Sequence, residues 1–426
     1  MISLDGGRVS LSPSACRSSI CGAAALVALA TALTGCGSTL KGGAADAGVP
    51  MTCSQTVLDT LGKVVARVYN EGVSSERTAV TRRLISTSAA VRQALRSGDA
   101  AAARSAAQAL IATRHMTNLK LMRGGRTLAE VGGAALAPLQ GALIGERGAP
   151  LGRYLASVWA DSGFLTEASG IGGGVIALRE HERSVGGSFA LPPGPLPAAG
   201  TLTRRSVAYH YISFPAEAYP SGSVRVYLLK AAGSIAPLCG ASSEDTVTNT
   251  LAHVARLIYR GETGRQALVQ VRRVQRDAAL LSAVARRDPA ASRLAVERLL
   301  IRHIVRLRVS AGGRLLADVG GPYVLGPVGA GLRLHGRPIG SFVLSIQDDE
   351  GYLRLAKRLA NLDVLMYMNP THPTLVKNSL GPSPGAVPAT GDDSYRGRSF
   401  DVFTLRASAF PSGPLSIRVL IPVPYS

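Results

Sequence analysis

The apolar positions in the C-terminal half of the chain first recur at helical spacing. Val254 and Ile258 share one face of a helix that we predict over residues 247–259, because residues four apart lie together on a helix. Ser242 and Asp245 precede this helix with the spacing of a capping box. Two more helices are predicted downstream, so the segment begins as a helical stalk.

Farther along, apolar and polar residues alternate, which is the period of half-buried strands. Phe342, Leu344 and Ile346 fall on one face of a strand predicted over residues 338–347. A short helix follows, and three more strands complete the segment: residues 364–368, 400–407 and 415–421. A helical stalk that leads into an antiparallel sheet of five or six strands with a short helix is an α+β arrangement.

The same pattern occurs twice, because the chain contains an internal repeat. The sequence GGRTLAEVGG at residues 124–133 returns as GGRLLADVGG at residues 312–321, 188 positions later. Pro150 and Pro338 are related by the same offset. We therefore predict two tandem modules of one fold, residues 51–234 and 236–426.

The N-terminal residues differ from both modules. Residues 20–33 form an apolar run that is too short to cross a bilayer comfortably as a helix. Arg8 and Arg17 precede the run and small residues follow it, as in the core of a signal peptide. This segment predicts export.

The run ends in Leu33-Thr34-Gly35-Cys36, which resembles the lipobox of bacterial lipoproteins. In that family the chain is cut before the cysteine, and the thiol carries a lipid. The resemblance implies a signal peptide over residues 1–35, a lipid anchor on Cys36, and attachment to the extracytoplasmic face of the cell membrane. Residues 36–50 are rich in Gly, Ala and Ser and are predicted to form a flexible tether. An ordinary secretory signal or an uncleaved anchor is the alternative.

Two cysteines remain in the predicted mature chain. Cys16 and Cys21 leave with the signal peptide and Cys36 is lipidated, so that Cys53 and Cys239 are left. Two cysteines in an oxidising compartment suggest a disulfide. The alternative is a pair of separate buried thiols.

The formal net charge of +20 raises the question of a nucleic-acid partner. Export argues against nucleic acid, and most of the charge is expected to be solvated surface. The densest basic zone, residues 256–314, has a second interpretation, in which it contacts anionic lipid or envelope polymers.

Motifs for chemistry are missing from the sequence. It has no HExxH spacing, no P-loop and no CxxC pair. We therefore predict that the protein is not an enzyme and that it holds neither a metal nor a cofactor.

Two segments of the second module, residues 306–321 and 338–359, resemble the Cache family, the extracytoplasmic PAS-like sensor domains of bacterial receptors. The resemblance implies a PAS-like sheet and a small molecule bound against it. Mapped onto this sequence, the ligand-binding residues are Tyr323, Arg333, His335, Ser345, Gln347 and Tyr352. Arginine and tyrosine beside hydroxyl and amide groups suit a small carboxylate or another polar metabolite. The alternative is that these residues line a solvated face.

The sequence departs from the Cache pattern in two respects. It has none of the Tyr/Arg/Asp constellation by which many Cache domains hold an amino acid, and it has no transmembrane helix, kinase or methyl-accepting segment. The leading hypothesis is a lipid-anchored, noncatalytic sensory protein that acts through a partner such as a membrane receptor. The alternative is a structural or adaptor lipoprotein of the envelope.

Overall fold

Helices precede strands twice along the chain in the computed structural model. The structure describes residues 52–145, 148–261, 264–301, 303–369, 371–382 and 384–425. The predicted signal peptide, the lipidation site Cys36 and the tether lie outside these residues. We keep the predicted limits, 51–234 and 236–426, as the proposed boundaries of the first and second copies.

The first copy contains the stalk helix α1 and the shorter helices that follow it. Its helices are α1 (Cys53–Ser74), α2 (Glu76–Thr87), α3 (Ala89–Ser97), α4 (Ala100–Ala112) and α5 (Asp161–Gly172). Its strands are β1 (Asn118–Arg123), β2 (Arg126–Gly132), β3 (Ala135–Leu136), β4 (Leu139–Ile144), β5 (Pro150–Ser157), β6 (Trp159–Ala160), β7 (Val175–Glu180), β8 (Arg183–Gly187), β9 (Ala199–Arg204), β10 (Val207–Tyr219) and β11 (Gly222–Ala231).

The second copy repeats this order. Its helices are α6 (Ser243–Gly261), α7 (Arg265–Gln275), α8 (Ala278–Ala285), α9 (Pro289–Leu300) and α10 (Asp349–Ala360). Its strands are β12 (Arg306–Ala311), β13 (Arg314–Gly320), β14 (Tyr323–Leu325), β15 (Val328–Leu334), β16 (Arg337–Ser345), β17 (Gln347–Asp348), β18 (Asp363–Met368), β19 (Thr374–Asn378), β20 (Gly391–Tyr395), β21 (Arg398–Pro411) and β22 (Gly413–Val423).

Each copy folds into two antiparallel sheets. The smaller sheets have the orders β2-β1-β5-β4 and β13-β12-β16-β15. The larger sheets have the orders β6-β3-β10-β11-β7-β8 and β17-β14-β21-β22-β18-β19, and β9 and β20 pair with β10 and β21 respectively. The predicted α+β class, with two helix-led modules of antiparallel sheet, is confirmed.

The strands are divided differently from the prediction of one sheet of five or six strands per copy. After β13 the chain enters β14, which pairs with β21 of the larger sheet rather than with β13. Alternation identifies which residues are extended, but it does not identify which edges pair. The division between two sheets was therefore invisible in the sequence pattern.

Local sequence signals explain the helix starts and the hairpins. The backbone N–H of Ser242 donates to the Asp245 carboxylate and the N–H of Asp245 donates to the Ser242 hydroxyl, both at 3.0 Å, as the predicted capping box requires. The turn between β12 and β13 places Gly312 and Gly313 at φ 56° and 74°. Two successive positive φ angles define the type I′ hairpin turn, and glycine tolerates them without steric cost.

The stalk helices α1 and α6 meet in one core that both copies share. Val57, Leu61 and Val64 of α1 belong to the same buried cluster as Leu251 and Val254 of α6. The inner faces of the two larger sheets and the helices α5 and α10 join this cluster. Residues Met51–Ser426 therefore form one compact unit in which the copies bury a face against each other.

Equivalent hydrogen bonds fix each stalk helix to its own larger sheet. The backbone N–H of Glu217 in β10 donates to the Tyr69 hydroxyl of α1 at 2.8 Å. In the second copy, the N–H of Ser408 in β21 donates to the Tyr259 hydroxyl of α6 at 3.0 Å. The two copies therefore seat their stalk helices in the same way.

Cys53 and Cys239 are placed as a disulfide-bonded pair, with their Cα atoms 5.6 Å apart. Cys53 is the first residue of α1, and Cys239 lies shortly before α6. The bridge therefore joins corresponding starts of the two stalk helices. Within the described part of the chain, no helix combines the length and the apolar character that crossing a bilayer requires.

Candidate functional site

Two buried members of the predicted ligand set, Tyr352 and Ser345, hydrogen-bond main-chain carbonyls, whereas the buried Gln347 side-chain oxygen has no hydrogen-bond partner among the described residues. The Tyr352 hydroxyl, fully buried on α10, donates to the Ala255 carbonyl of α6 at 3.1 Å. The Ser345 hydroxyl hydrogen-bonds the Leu325 carbonyl, and it also contacts the Gln347 carbonyl at 3.2 Å. These hydroxyl groups join α10 to α6 and β14 to the end of β16.

The other predicted residues lie elsewhere. Arg333 is exposed, pairs with Pro338 near the tip of the β15–β16 hairpin, and donates to the Gly336 carbonyl at 3.3 Å. His335 lies in that hairpin turn with φ 49°. Ser345 is at the other end of β16, about 23 Å from Pro338 at about 3.3 Å per residue.

Tyr323 lies at the start of β14, in the larger sheet, opposite Pro411. The six residues are therefore spread over two sheets and the helix α10, and they do not converge on one cavity among the described residues. Their ligand-binding role stays a prediction.

A groove of about 580 Å³ lies on the outer face of the larger sheet of the second copy. We call it the sheet-face groove. Its polar lining residues come from β18, β21, β22 and the segment after β18: Tyr367, Asn369, Thr404, Arg406, Ser416 and Arg418.

Strand alternation explains why these polar side chains share one face. Phe403 and Leu405 of β21 point into the shared core, so that Thr404 and Arg406 point to the opposite face. On β22 the same alternation separates core residues from Ser416 and Arg418. The register pairs Ser416 with both Arg406 and Tyr367, which places the three residues in one row across the sheet.

Arg418 forms the inner wall of the sheet-face groove. Its guanidinium carbon lies 4.0 Å from the centre of the Tyr367 ring, a cation–π contact. Its Nη1 donates to the Val387 carbonyl of the segment that covers the sheet, and its buried Nε has no hydrogen-bond partner within the described ranges. The Thr404 hydroxyl donates to the Ala389 carbonyl of the same segment at 2.5 Å.

Burial and neighbouring charges change the titration of Tyr367. Burial raises the pKa of its phenol, the Arg418 guanidinium opposes this increase, and the Asp393 carboxylate adds to it. The net result is a pKa above the usual value, so Tyr367 stays a neutral hydrogen-bonding group at neutral pH.

Arg406 lies on the exposed side of the groove. In the described ranges, no carboxylate forms an ion pair with Arg406 or Arg418. Guanidinium groups remain protonated and present planar donor forks that match carboxylates and other oxyanions. The groove therefore combines two cations, a tyrosine and two hydroxyl groups in an arrangement suited to a small anion.

Sequence reasoning missed Tyr367, Arg406 and Arg418. The available signal was the alternation in residues 404–407 and 415–418, which places polar residues opposite the core face. Such residues on a strand normally face solvent, and the sequence did not indicate that the segment after β19 folds back over them. For metals, the described residues hold no group of three His, Cys, Asp or Glu placed to bind an ion.

No protein-family model and no curated protein matches the sequence. Among solved structures, the chain is similar to the periplasmic domain of Vibrio cholerae LuxQ, with 16% identity and a TM-score of 0.27 over 39% of this chain and 97% of that one. It is also similar to an extracellular ligand binding receptor from Desulfohalobium retbaense, with 11% identity and a TM-score of 0.24 over 42% of this chain and 39% of that one.

Proposed function

We propose that the protein is a noncatalytic, extracytoplasmic ligand-binding lipoprotein of the Cache-like sensory class, and that it binds a small carboxylate in the sheet-face groove of its second copy. One observation carries this proposal. Arg406 and Arg418 line the groove beside Tyr367, and neither forms an ion pair with a carboxylate of the described chain. A carboxylate ligand would supply an ion-pair partner for these two guanidinium groups.

The segment after β19 covers part of the groove. Residues Val387 and Ala389 contribute carbonyl groups that hold the covering segment to Arg418 and Thr404. Arg406 is left as the group that meets an entering anion first. Ligand sites commonly combine a concave surface with a few convergent polar groups of this kind.

We expect small carboxylates such as acetate, succinate or glutamate to raise the melting temperature of the soluble chain in a saturable way. Ligand at one hundred times its dissociation constant adds about 2.7 kcal/mol to the free energy of unfolding. Arg406→Gln should weaken the response about 10- to 100-fold, because a hydrogen bond to a charged group contributes about 1.5–3 kcal/mol. The measurement is a thermal-shift titration of both proteins.

Arg333→Gln is the matched control, because Arg333 is equally exposed but lies on the smaller sheet. It should leave the carboxylate response unchanged, whereas a loss of response only in this variant would favour the residues predicted from the sequence. A flat response to the whole panel would contradict the proposal. Polyanion binding that weakens with salt would then favour the structural or adaptor alternative.

We further propose that the chain is anchored through a lipid on Cys36 and transmits ligand binding through a partner such as a membrane receptor. The support for the anchor is the lipobox-like sequence Leu33-Thr34-Gly35-Cys36. Cys36→Ser removes the thiol that would carry the lipid, so the protein should move from the membrane fraction to the soluble exported fraction. Unchanged membrane fractionation of this variant would contradict the anchor.

A further inference from the structure

A second arginine lies under a covering segment in the first copy. Arg179 of β7 is only 2% exposed. Its strand neighbours Ile176 and Leu178 belong to the shared core, so Arg179 points to the opposite, outer face. On that face the buried cluster contains Ala177, Phe189, Leu191, Tyr211, Tyr227 and Leu229.

The guanidinium of Arg179 is only partly satisfied by the protein. Its Nη2 donates to the Glu182 carbonyl at 3.1 Å and to the Gly194 carbonyl. Its Nε and Nη1 are buried and have no hydrogen-bond partner among the described residues. A guanidinium cannot shed its charge, and buried donors without partners are unfavourable. The position therefore favours an anionic partner.

The first copy has an arginine and a tyrosine, Arg179 and Tyr227. The sheet-face groove of the second copy has the same two residue types, but the tyrosine (Tyr367) and the arginine (Arg418) stand on exchanged strands. Arg179 of β7 pairs with Arg225 of β11. At the corresponding position of the second copy, Tyr367 of β18 pairs with Ser416 of β22. By the same register, Tyr227 lies opposite Ala177 and Arg418 lies opposite Leu365. The arginine thus comes from the first strand of the pair in one copy and from the last strand in the other.

The two arginines also treat their covering segments alike. Arg179 donates to the Gly194 carbonyl, and Arg418 donates to the Val387 carbonyl. Each keeps a buried Nε without a hydrogen-bond partner in the part of the chain that the structure describes. Both copies therefore hold a segment over the sheet through a main-chain carbonyl, with spare guanidinium donors beneath it.

A guanidinium binds an oxyanion through a fork of two N–H groups, and both such forks of an arginine include Nη2. In the first copy, Nη2 is occupied by the carbonyls of Glu182 and Gly194. An anion that binds bidentately must therefore displace one of these carbonyls. Glu182 lies in the turn between β7 and β8, whereas Gly194 belongs to the covering segment. Anion binding is therefore coupled to release of the covering segment when the anion takes the place of the Gly194 carbonyl.

We propose that Arg179 is a second anion-binding site, for a compact oxyanion such as a carboxylate or phosphate, and that its occupancy loosens residues 188–198 from the sheet. The site stands independently of the sheet-face groove, because it lies in the other copy and uses other residues. Its occupancy is therefore measured from the hydrogen exchange of residues 188–198 in the first copy.

Hydrogen–deuterium exchange with mass spectrometry tests the proposal on the full Cys36→Ser chain carrying Arg406→Gln, with succinate and inorganic phosphate as separate probes. We expect a saturable, several-fold faster exchange in residues 188–198 with one probe or both. Residues 384–390 report on the second copy, so a change there alone would concern the groove and not Arg179. Unchanged or slower exchange in residues 188–198 with both probes would overturn the proposal.

Arg179→Lys keeps the positive charge but removes the planar fork of N–H donors, because lysine is a point charge. We expect this variant to need at least about tenfold more probe for the same exchange response. Arg183→Gln is the matched control, since Arg183 is an exposed arginine on β8 that pairs with Glu180. A response retained in full by Arg179→Lys would overturn the assignment. If the variant does not fold, the titration of the protein with Arg179 intact decides the proposal by itself.

Discussion

Residues 236–426 produced alone should unfold at a much lower denaturant concentration than residues 52–426. In the isolated second copy, α6 and α10 lose the face that packs against α1, and Leu251, Val254 and Ile258 lose part of their burial. Burial of each such side chain stabilises by about 1.5–3 kcal/mol. The combined loss is about 5 kcal/mol or more, against typical folding stabilities of about 5–15 kcal/mol.

The comparison is made by urea unfolding under reducing conditions, so that the Cys53–Cys239 bridge does not contribute to the stability of the longer chain. Size-exclusion chromatography at several protein concentrations accompanies it. Self-association of the isolated copy would agree with the account, because the exposed face of α6 can then pair with a second α6. A monomeric isolated copy with the unfolding midpoint of the longer chain would contradict the shared core.

Replacement of both bridged cysteines, Cys53→Ala with Cys239→Ala, should lower the free energy of unfolding by about 2–4 kcal/mol. The bridge closes a loop with a sequence separation of 186 residues, and long loops lose the most entropy in the unfolded state when they are cross-linked. Urea unfolding of the double variant measures the change. The unmodified chain under reducing conditions is the control and should match the variant.

Mass spectrometry without reduction provides a direct check of the pairing. The peptides that contain Cys53 and Cys239 should appear as one linked species. Two freely alkylated thiols, with an unchanged unfolding midpoint in the double variant, would contradict the bridge.

The sequence predicted the parts of the fold that depend on local signals. The repeated Gly-Gly turns, exemplified by Gly312 and Gly313, and the capping box of Ser242 and Asp245 have the structures expected of them. The alternation around Phe342 and Leu344 likewise marked a strand with a buried face. Such signals depend only on neighbours along the chain.

The parts that depend on distant partners were not predictable in the same way. An amphipathic α1 indicates that one face is buried, but it does not indicate that α6 of the other copy covers that face. Ser345 and Tyr352 were expected at a ligand because the resemblance to the Cache family maps the ligand site onto them. Their hydroxyl groups instead meet the carbonyls of Leu325 and Ala255.

The candidate groove forms because the segment that contains Val387 and Ala389 folds back over the sheet. No local sequence pattern indicates this fold-back. Arg406 and Arg418 occupy the non-core positions of two strands. Their environment differs from solvent because residues Val387 and Ala389 come back over the sheet. A pattern of single residues carries no information on this long-range contact.

The central claim, that the sheet-face groove is a carboxylate site, is tested most directly by a crystal structure of the soluble chain with the carboxylate that gives the largest thermal shift. We predict the carboxylate within hydrogen-bonding distance of the Arg406 or Arg418 guanidinium, beside Tyr367. A ligand bound instead beside Ser345 and Gln347 would contradict the claim.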